Sequence, residues 1–435
     1  MVVNVSVIEA QTNYVLSIGI DTNDPAAYNY RGYSFAKTGD WGKAINDYSE
    51  SIRLNSNSAI SYIYRGFAYS NIGEWQKSID DYSKAIQLNP NDPISYGDRG
   101  YAYYFNREYD KAINDLNVAI RLDPMLSENY RYRGMANFRK RNYDAAIVDF
   151  LQAIKNDPNN VKAYGWCGDA YVGKADYDKA IEYFNHAIQF DSQDGLAFSG
   201  RGYAYYRKRK LDDAILDLNK AIQLLPNDAL ALDTRGTIFL YNRDYKKAIN
   251  DFSQTLQIDS ENFSALENRA LSYFAVADYT NAINDQTLVL KGNPTFASAF
   301  YRRAESYYEL KRYNEAISDF RRTIQIDSKY AEAYNDLAWL LATCSNSTNR
   351  SGKEAVKLAN SACALADWKK WNFIGTLAAA YAEAGDFDNA IKYQQDAIKL
   401  KQESALDGSS SDDKQRLELY KKHEAYHEPN NDLVR

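Results

Sequence analysis

The sequence has little of what most enzymatic chemistry needs, since its 435 residues include three histidines and three cysteines. Cys167, Cys344 and Cys363 are too few, and odd in number, for a disulfide framework, which favours a reducing compartment. The longest apolar run, Leu337 to Cys344, is far short of the ~20 residues that a membrane-spanning helix needs. A net charge of −6 disfavours nucleic-acid binding through overall positive charge. We therefore expect a scaffold without catalytic residues, cofactor or metal.

The N-terminus gives a further expectation about location. Residues 1–10 contain no basic residue and already carry Glu9, which is unlike a signal peptide. We expect a cytoplasmic protein, and a secreted or periplasmic origin with a trimmed signal stays open as the alternative.

Aromatic residues are abundant by contrast, at 14% of the chain, and 38 of them are tyrosines. So much aromatic surface has to be buried or used in binding, which excludes disorder for most of the chain.

A motif of the form Tyr-Arg-Gly-x-Ala-Tyr recurs every 34 residues along the chain. Nine units without insertion or deletion run over 25–330, a tenth with a longer middle loop covers 331–370, and an eleventh covers 371–404. Within each unit, apolar or small residues recur at positions 4, 8 and 11 and again at 20, 24 and 27, which predicts two successive helices. Because one such hairpin cannot cover its own apolar faces, the units are expected to stack into an all-α solenoid.

These residues resemble tetratricopeptide repeats, with Tyr in place of the family's first Trp and Arg in place of its Leu before the Gly. The resemblance implies a right-handed superhelical α-solenoid of about eleven units that binds a protein or peptide partner. The tenth and eleventh units resemble a bacterial subtype that is followed by a linker and a capping helix. We therefore predict a partial repeat or cap helix at 1–24, the solenoid at 25–404 with units starting at 25, 59, 93, 127, 161, 195, 229, 263, 297, 331 and 371, and a linker with a capping helix at 405–435.

Arg at position 7 and Asp at position 23 occur together in eight units and vanish together in the other three, where position 7 is Cys167, Leu337 or Leu377. We predict an ion pair between the two helices of each unit, as a partly buried structural ladder. A row of ligand-binding arginines is the alternative. The predicted pairs are Arg31–Asp47, Arg65–Asp81, Arg99–Asp115, Arg133–Asp149, Arg201–Asp217, Arg235–Asp251, Arg269–Asp285 and Arg303–Asp319.

A second stripe of the first helix, at positions 2, 5, 9 and 12, lines the concave surface in the family that the sequence resembles. Rings at positions 9 and 12, with position 6 at the margin, predict a groove that binds a partner segment. The alternative is that these rings pack between neighbouring units. The predicted groove residues are Tyr64, Phe67, Tyr101, Tyr104, Tyr132, Phe138, Trp166, Tyr203 and Tyr206.

Other functions have weaker support. The motif His423-Glu-Ala-Tyr-His427 would hold zinc if it were helical, but no third ligand follows at the usual distance. Basic runs at 139–141 and 207–210 offer a phosphate or nucleic-acid edge, or else solvated loops. No three consecutive units match the family's carboxylate clamp. A self-associating or accessory subunit of an enzyme or signalling complex remains the rival function, so either a monomer or a homodimer is compatible with the sequence.

Overall fold

The computed structural model describes residues 23–403 and 411–429, and all regular elements in these ranges are helical. This confirms the predicted all-α repeat fold. The partial repeat predicted at 1–24 falls almost wholly on residues 1–22, which lie outside the described residues, as does the linker at 404–410. Among the described helices, none has both the length and the apolar character to span a membrane.

The chain divides into two compact units, residues 1–231 and 232–435. In the nine repeats over 25–330, odd-numbered helices contain 13 residues and even-numbered helices contain 14. In the first unit the helices are α1 (Pro25–Lys37), α2 (Trp41–Leu54), α3 (Ala59–Asn71), α4 (Trp75–Leu88), α5 (Pro93–Phe105), α6 (Tyr109–Leu122), α7 (Ser127–Arg139), α8 (Tyr143–Asn156), α9 (Val161–Gly173), α10 (Tyr177–Phe190), α11 (Gly195–Arg207) and α12 (Leu211–Leu224).

Helix α13 (Ala229–Tyr241) spans the boundary between the two units. The helices of the second unit are α14 (Tyr245–Ile258), α15 (Phe263–Ala275), α16 (Tyr279–Gly292), α17 (Ala297–Glu309), α18 (Tyr313–Ile326), α19 (Ala331–Thr343), α20 (Gly352–Leu365), α21 (Trp371–Glu383), α22 (Phe387–Glu403) and α23 (Ser411–Lys421). A short 3-10 turn, Ser347–Asn349, lies in the longer loop between α19 and α20.

Within the first unit, the odd-numbered helices α1 to α11 contact one another in order and form one layer. Each even-numbered helix from α2 to α10 packs between the odd-numbered helix before it and the one after it. One face of the odd-numbered helices is thereby left uncovered by the even-numbered ones. We call the surface formed by positions 2, 5, 6, 9, 12 and 13 of these helices the first-helix face.

Except in the tenth unit with its longer loop, the turn inside each hairpin has one left-handed residue at position 15. Gly39 has φ +80°, and Arg209 occupies the same conformation with φ +61°. In the first hairpin the Asp40 N–H donates to the Phe35 carbonyl at 2.9 Å and closes α1, while the Asp40 carboxylate accepts from the Lys43 N–H and caps α2. The same residue therefore ends one helix and begins the next.

Close packing inside a hairpin depends on the small residue at position 8. A Cβ atom added at Gly168 would lie 2.7 Å from Cε1 of Phe184, so the ring fills the space that the glycine leaves. Phe150, Phe184, Phe252 and Phe320 are among the largest fully buried side chains.

The C-terminal helix α23 covers the end of the second unit. Tyr420 is fully buried against Ala378, Ala382 and Ala390, and Asp413 bonds Arg416 at 2.6 Å and Lys401 at 2.9 Å. The helix thereby covers apolar side chains of α21 and α22.

Candidate functional site

The predicted ladder pairs all meet inside their own hairpins. In the eight pairs the guanidinium lies 2.5–2.8 Å from the Asp carboxylate, and in each pair two nitrogens bind it. The Asp side chains are nearly buried and the Arg side chains expose 16–35% of their surface. These ion pairs stabilise the hairpins and leave little of either charge for a ligand, because each Arg already binds its Asp and both side chains are mostly buried.

Several of these arginines also reach the preceding hairpin, a contact that the sequence analysis did not predict. Arg99 Nη1 donates to Ser83 Oγ at 3.0 Å, and Arg201 Nη1 donates to Asn185 Oδ1 at 2.6 Å. Where the Arg is replaced by Cys167, the corresponding residue of the preceding hairpin is Leu151, which has no hydrogen-bonding group to offer. The ladder therefore joins neighbouring hairpins as well as the helices of each one.

The predicted groove residues lie at different depths of the first-helix face. Phe67 exposes 43% of its surface, and Phe105, which is not among the predicted groove residues, exposes 40%. Tyr101 contacts the Tyr132 ring with centroids 4.7 Å apart, and Trp166 contacts Phe138 at 5.5 Å, so rings of successive odd-numbered helices touch each other. Tyr203 and Tyr206 form a further pair, at 6.3 Å. Six of the predicted rings are half-buried, namely Tyr101, Tyr132, Phe138, Trp166, Tyr203 and Tyr206.

Two of the predicted groove residues, Tyr64 and Tyr104, are corrected by the structure. They expose only 9% and 6% of their surfaces. Tyr64 packs on Tyr48 at 5.5 Å, and Tyr104 packs on Tyr109 at 5.8 Å, because both rings turn toward an even-numbered helix. They are packing residues, and the exposed ring next to Tyr104 is Phe105.

Four of the seven basic residues in the two runs bond to groups within the protein. Lys140 and Lys208 form ion pairs with Asp110 and Asp178 of the preceding hairpins. Arg139 donates to the Tyr104 hydroxyl at 3.2 Å, and Arg207 Nη1 to the Tyr203 hydroxyl at 2.8 Å. Neighbouring carboxylates thus neutralise two of the seven positive charges in these runs.

The motif His423–His427 does not form the helix that zinc binding would require. Helix α23 ends at Lys421, and His423 has φ +63°. The His423 ring stacks on Phe387 at 5.0 Å, and His427 Nε2 lies 2.7 Å from Glu383 Oε2. Among the described residues, no group of three or more His, Cys, Asp or Glu side chains is arranged to hold a metal ion.

The non-helical segment that follows α23 lies on the first-helix face of the second unit. The Glu428 N–H donates to the Thr343 carbonyl at 2.8 Å, and its carboxylate accepts from Trp339 Nε1 at 2.8 Å and from the Tyr308 hydroxyl. Trp339 also contacts the Tyr426 ring at 6.0 Å. A non-helical segment is therefore bound here through a tyrosine and a tryptophan of two neighbouring odd-numbered helices.

Carboxylates in cavities of the first-helix face were not among the sequence predictions. Asp98 lines a cavity of about 580 Å³ with Trp75, Tyr101 and Tyr132 in the first unit, and burial raises its pKa to about 7. Glu305 lines a cavity of about 240 Å³ in the second unit, where burial and then Asp336 raise its pKa to about 7. These carboxylates could have been predicted from the sequence, because they are acidic residues at positions 6 and 9, where other repeats have aromatic residues.

The largest of these cavities lies between α9 and α11 in the first unit and has a volume of about 740 Å³. Asp169, Trp166 and Ser199 are among its lining residues. Burial, followed by the nearby charge of Asp194, raises the pKa of Asp169 to about 7, while Arg139 acts in the opposite direction.

Comparison with solved structures identifies other proteins built from these repeats. A tetratricopeptide repeat protein from Parabacteroides merdae is 22% identical with a TM-score of 0.47 and covers 57% of this chain and 98% of its own. YrrB, described as a TPR protein with an unusual peptide-binding site, is 23% identical with a TM-score of 0.37, covering 42% and 95%. The human IFIT1 dimer with m7Gppp-AAAA is 15% identical with a TM-score of 0.45, covering 90% and 94%. With TM-scores below 0.5, these structures say nothing about the partner of this chain.

Sequence models of the repeat family match most of the array. Comparison with proteins of curated function finds no match. Tetratricopeptide repeat models match residues 59–92, 297–330, 98–161, 168–229 and 373–404, and a TPR repeat model matches 32–73. Together these matches cover more than half of the chain and include four of its six Arg-Gly pairs and the turns at Gly39 and Arg209. The chain belongs to the tetratricopeptide repeat family, whose repeats indicate a protein-interaction scaffold.

Proposed function

We propose that this chain is a non-catalytic scaffold that binds an extended segment of a partner protein along the exposed rings of its first-helix face. The observation that carries the proposal is the bound segment at Glu428. Two odd-numbered helices there hold a non-helical stretch of chain through Tyr308 and Trp339. The first-helix face of the first unit offers the same kinds of side chain with open edges.

Chemistry at this face supports binding of a protein segment. Half-buried Tyr and Trp rings give a large contact area at low entropic cost, and their hydroxyl and indole N–H groups can bond a backbone or a side chain. Rings already held by their neighbours lose little further freedom when a segment binds. Phe67 and Phe105, with 43% and 40% of their surfaces exposed, are the rings that a partner would cover most.

The test is a capture experiment with matched variants of the full chain. The double variant Phe67→Ser with Phe105→Ser removes two exposed rings of the first-helix face. Phe190→Ser removes an equally exposed ring, 48%, from the even-numbered helix α10. Each immobilised variant is incubated with extract of the source cells, and bound proteins are quantified by mass spectrometry.

We expect the double variant to bind the partner with an affinity lower by about thirtyfold or more, as when aromatic anchors of an interface are truncated. The Phe190→Ser variant should retain it, and thermal melting should change little in both. Equal capture by all three proteins would place the partner elsewhere. A large fall in melting temperature of the double variant alone would show that the rings serve packing between hairpins.

A further inference from the structure

The cavity between α9 and α11 exists because small residues replace the bulky ones found at the same positions elsewhere. Positions 5 and 6 hold Arg131 and Tyr132 in the preceding repeat, but Gly165 occupies position 5 in α9, and Ser199 and Gly200 occupy both positions in α11. A Cβ atom at Gly165 would meet nothing within 4 Å, so this side of the cavity is open space. The volume of about 740 Å³ is within the range of about 300–1,000 Å³ typical of ligand sites.

The cavity is lined by an excess of negative charge. Asp169, Asp191, Asp194 and Asp228 all line it, and in the described part of the chain none of them forms an ion pair within 4 Å. Lys162 is the basic residue among the described lining residues, and its side chain is exposed at the rim. Such a charge balance attracts a cation and repels phosphate groups.

A second observation, independent of the acids, points to a missing ligand atom. Ser199 also lines the cavity and is only 2% exposed, yet its Oγ has no hydrogen-bond partner among the described residues. The Oδ2 atom of Asp228 is likewise buried without a partner. Buried polar atoms are normally satisfied, so two acceptors left open in one cavity favour a donor that enters from outside.

The remaining lining residues are aromatic or apolar. Trp166 contributes an aromatic ring, and the guanidinium of Arg139 already lies over that ring at 5.8 Å. Leu196 and Leu230 line the cavity while exposing 69% and 49% of their surfaces to solvent. An apolar side chain next to the cation would cover these two leucines.

We propose that this cavity binds an arginine or lysine side chain of a partner protein, inserted beside an apolar residue of the same segment. The inference rests on the proposed function, because it names the residue that the bound segment would insert. The guest cation would pair with Asp169, and its N–H groups would donate to Ser199 and Asp228. Nucleic acid is disfavoured as the occupant, since its phosphates would meet the four carboxylates.

The probe is a phage library that displays random dodecapeptides, selected on the immobilised full chain. Three variants are tested with the synthetic peptides that result. Asp169→Asn removes the charge, and Gly165→Leu fills the cavity while improving the helical propensity of α9. Glu182→Gln is the control, because Glu182 is an exposed acid on α10 that does not line the cavity.

We expect selected peptides to carry Arg or Lys beside Leu, Ile or Phe. Replacing that Arg by citrulline, which keeps its shape without charge, should weaken binding by about tenfold or more, and so should Asp169→Asn. Gly165→Leu should abolish binding with unchanged or higher thermal stability, and Glu182→Gln should bind normally.

Four outcomes would overturn the inference. Selected peptides that bind through acidic or purely apolar residues would refute the cationic guest. Cationic peptides that bind Gly165→Leu as well as the unchanged chain would place their site elsewhere. Peptides that lose binding in the Phe67→Ser and Phe105→Ser double variant but not in Asp169→Asn would refute this cavity and leave the proposed function intact. If no peptide is enriched over a blank surface, both proposals are contradicted.

Discussion

Arg201 Nη1 lies 2.6 Å from Oδ1 of Asn185, on the helix that precedes its own, while its Nε and Nη2 bind the carboxylate of Asp217 on the helix that follows. One guanidinium on α11 therefore links α10 and α12. Because Asp217 is nearly buried, the pair is satisfied only as long as both partners are present.

We predict that Arg201→Ala and Asp217→Ala each lower the free energy of unfolding by about 1–4 kcal/mol, because each leaves a mostly buried charge unpaired. The double variant should cost clearly less than the sum of the two. Asn185→Ala should cost less, about 0.5–1.5 kcal/mol, because it removes one outer hydrogen bond. Urea denaturation of the four proteins measures these values. Strict additivity of the Arg201 and Asp217 effects would contradict the pairing.

The Arg–Asp pairs could be predicted from the sequence because both residues vanish together where the pattern breaks. The contact with the preceding hairpin could not, since its acceptor varies among Ser83, Asn185 and Thr287. These side chains share only the ability to accept a hydrogen bond. In the repeat that has Cys167 in place of the Arg, the corresponding residue is Leu151, which cannot accept a hydrogen bond. The acceptor on the preceding hairpin is therefore absent there together with the Arg.

A second prediction concerns the left-handed residue of the turns. Arg209 has φ +61°, where a side chain with a Cβ atom is strained and glycine is not. We expect Arg209→Gly to raise the free energy of unfolding by up to about 1 kcal/mol, since Gly39 and Gly73 already occupy this position. Lys220→Gly, inside α12, is the matched control and should lower it by about 1 kcal/mol. A loss of stability in both variants would contradict the assignment of strain to the turn.

A third prediction follows from the raised pKa of Asp169, which burial moves from 3.8 to about 7. The folded state binds this proton more tightly than the unfolded state, so the contribution of Asp169 to stability is lost as pH rises between these two values. We expect Asp169→Asn to equal the unchanged chain near pH 4. Above pH 7 it should be more stable by about 1–3 kcal/mol, a range that allows for solvent screening.

Thermal melting from pH 4 to pH 8 tests this prediction, with Glu182→Gln as the control for loss of an exposed charge. A stability difference that does not change with pH would show that Asp169 is ionised over the whole range. A gain in stability together with loss of peptide binding would be typical of a residue kept for function at the expense of stability.

The depth of each ring could not be predicted from the sequence, although the face on which it lies could. Phe67 and Tyr104 both belong to the predicted stripe, yet one exposes 43% of its surface and the other 6%. The difference arises because the Tyr104 ring turns toward Tyr109 at the start of α6. The cavity near Asp169 was missed for another reason. The cavity forms because Gly165 and Ser199 are small residues at a position where an earlier repeat has a large one. A repeat pattern shows which side chains recur, and does not show the space that a small residue leaves.

The last prediction concerns the segment held at Glu428. Its carboxylate accepts from Trp339 Nε1 and from the Tyr308 hydroxyl, so Glu428→Ala should lower the free energy of unfolding of the second unit by about 1–3 kcal/mol. Trp339→Phe keeps an aromatic side chain but removes the indole N–H donor. It should lower the free energy of unfolding less in the Glu428→Ala background than in the unchanged chain. Denaturation followed by tryptophan fluorescence measures both effects. Glu424→Ala, an exposed acid of the same segment, is the control. Equal losses of stability in the Glu424 and Glu428 variants would mean that non-specific electrostatic attraction holds the segment. The specific hydrogen bonds from Tyr308 and Trp339 to Glu428 would then not account for its binding.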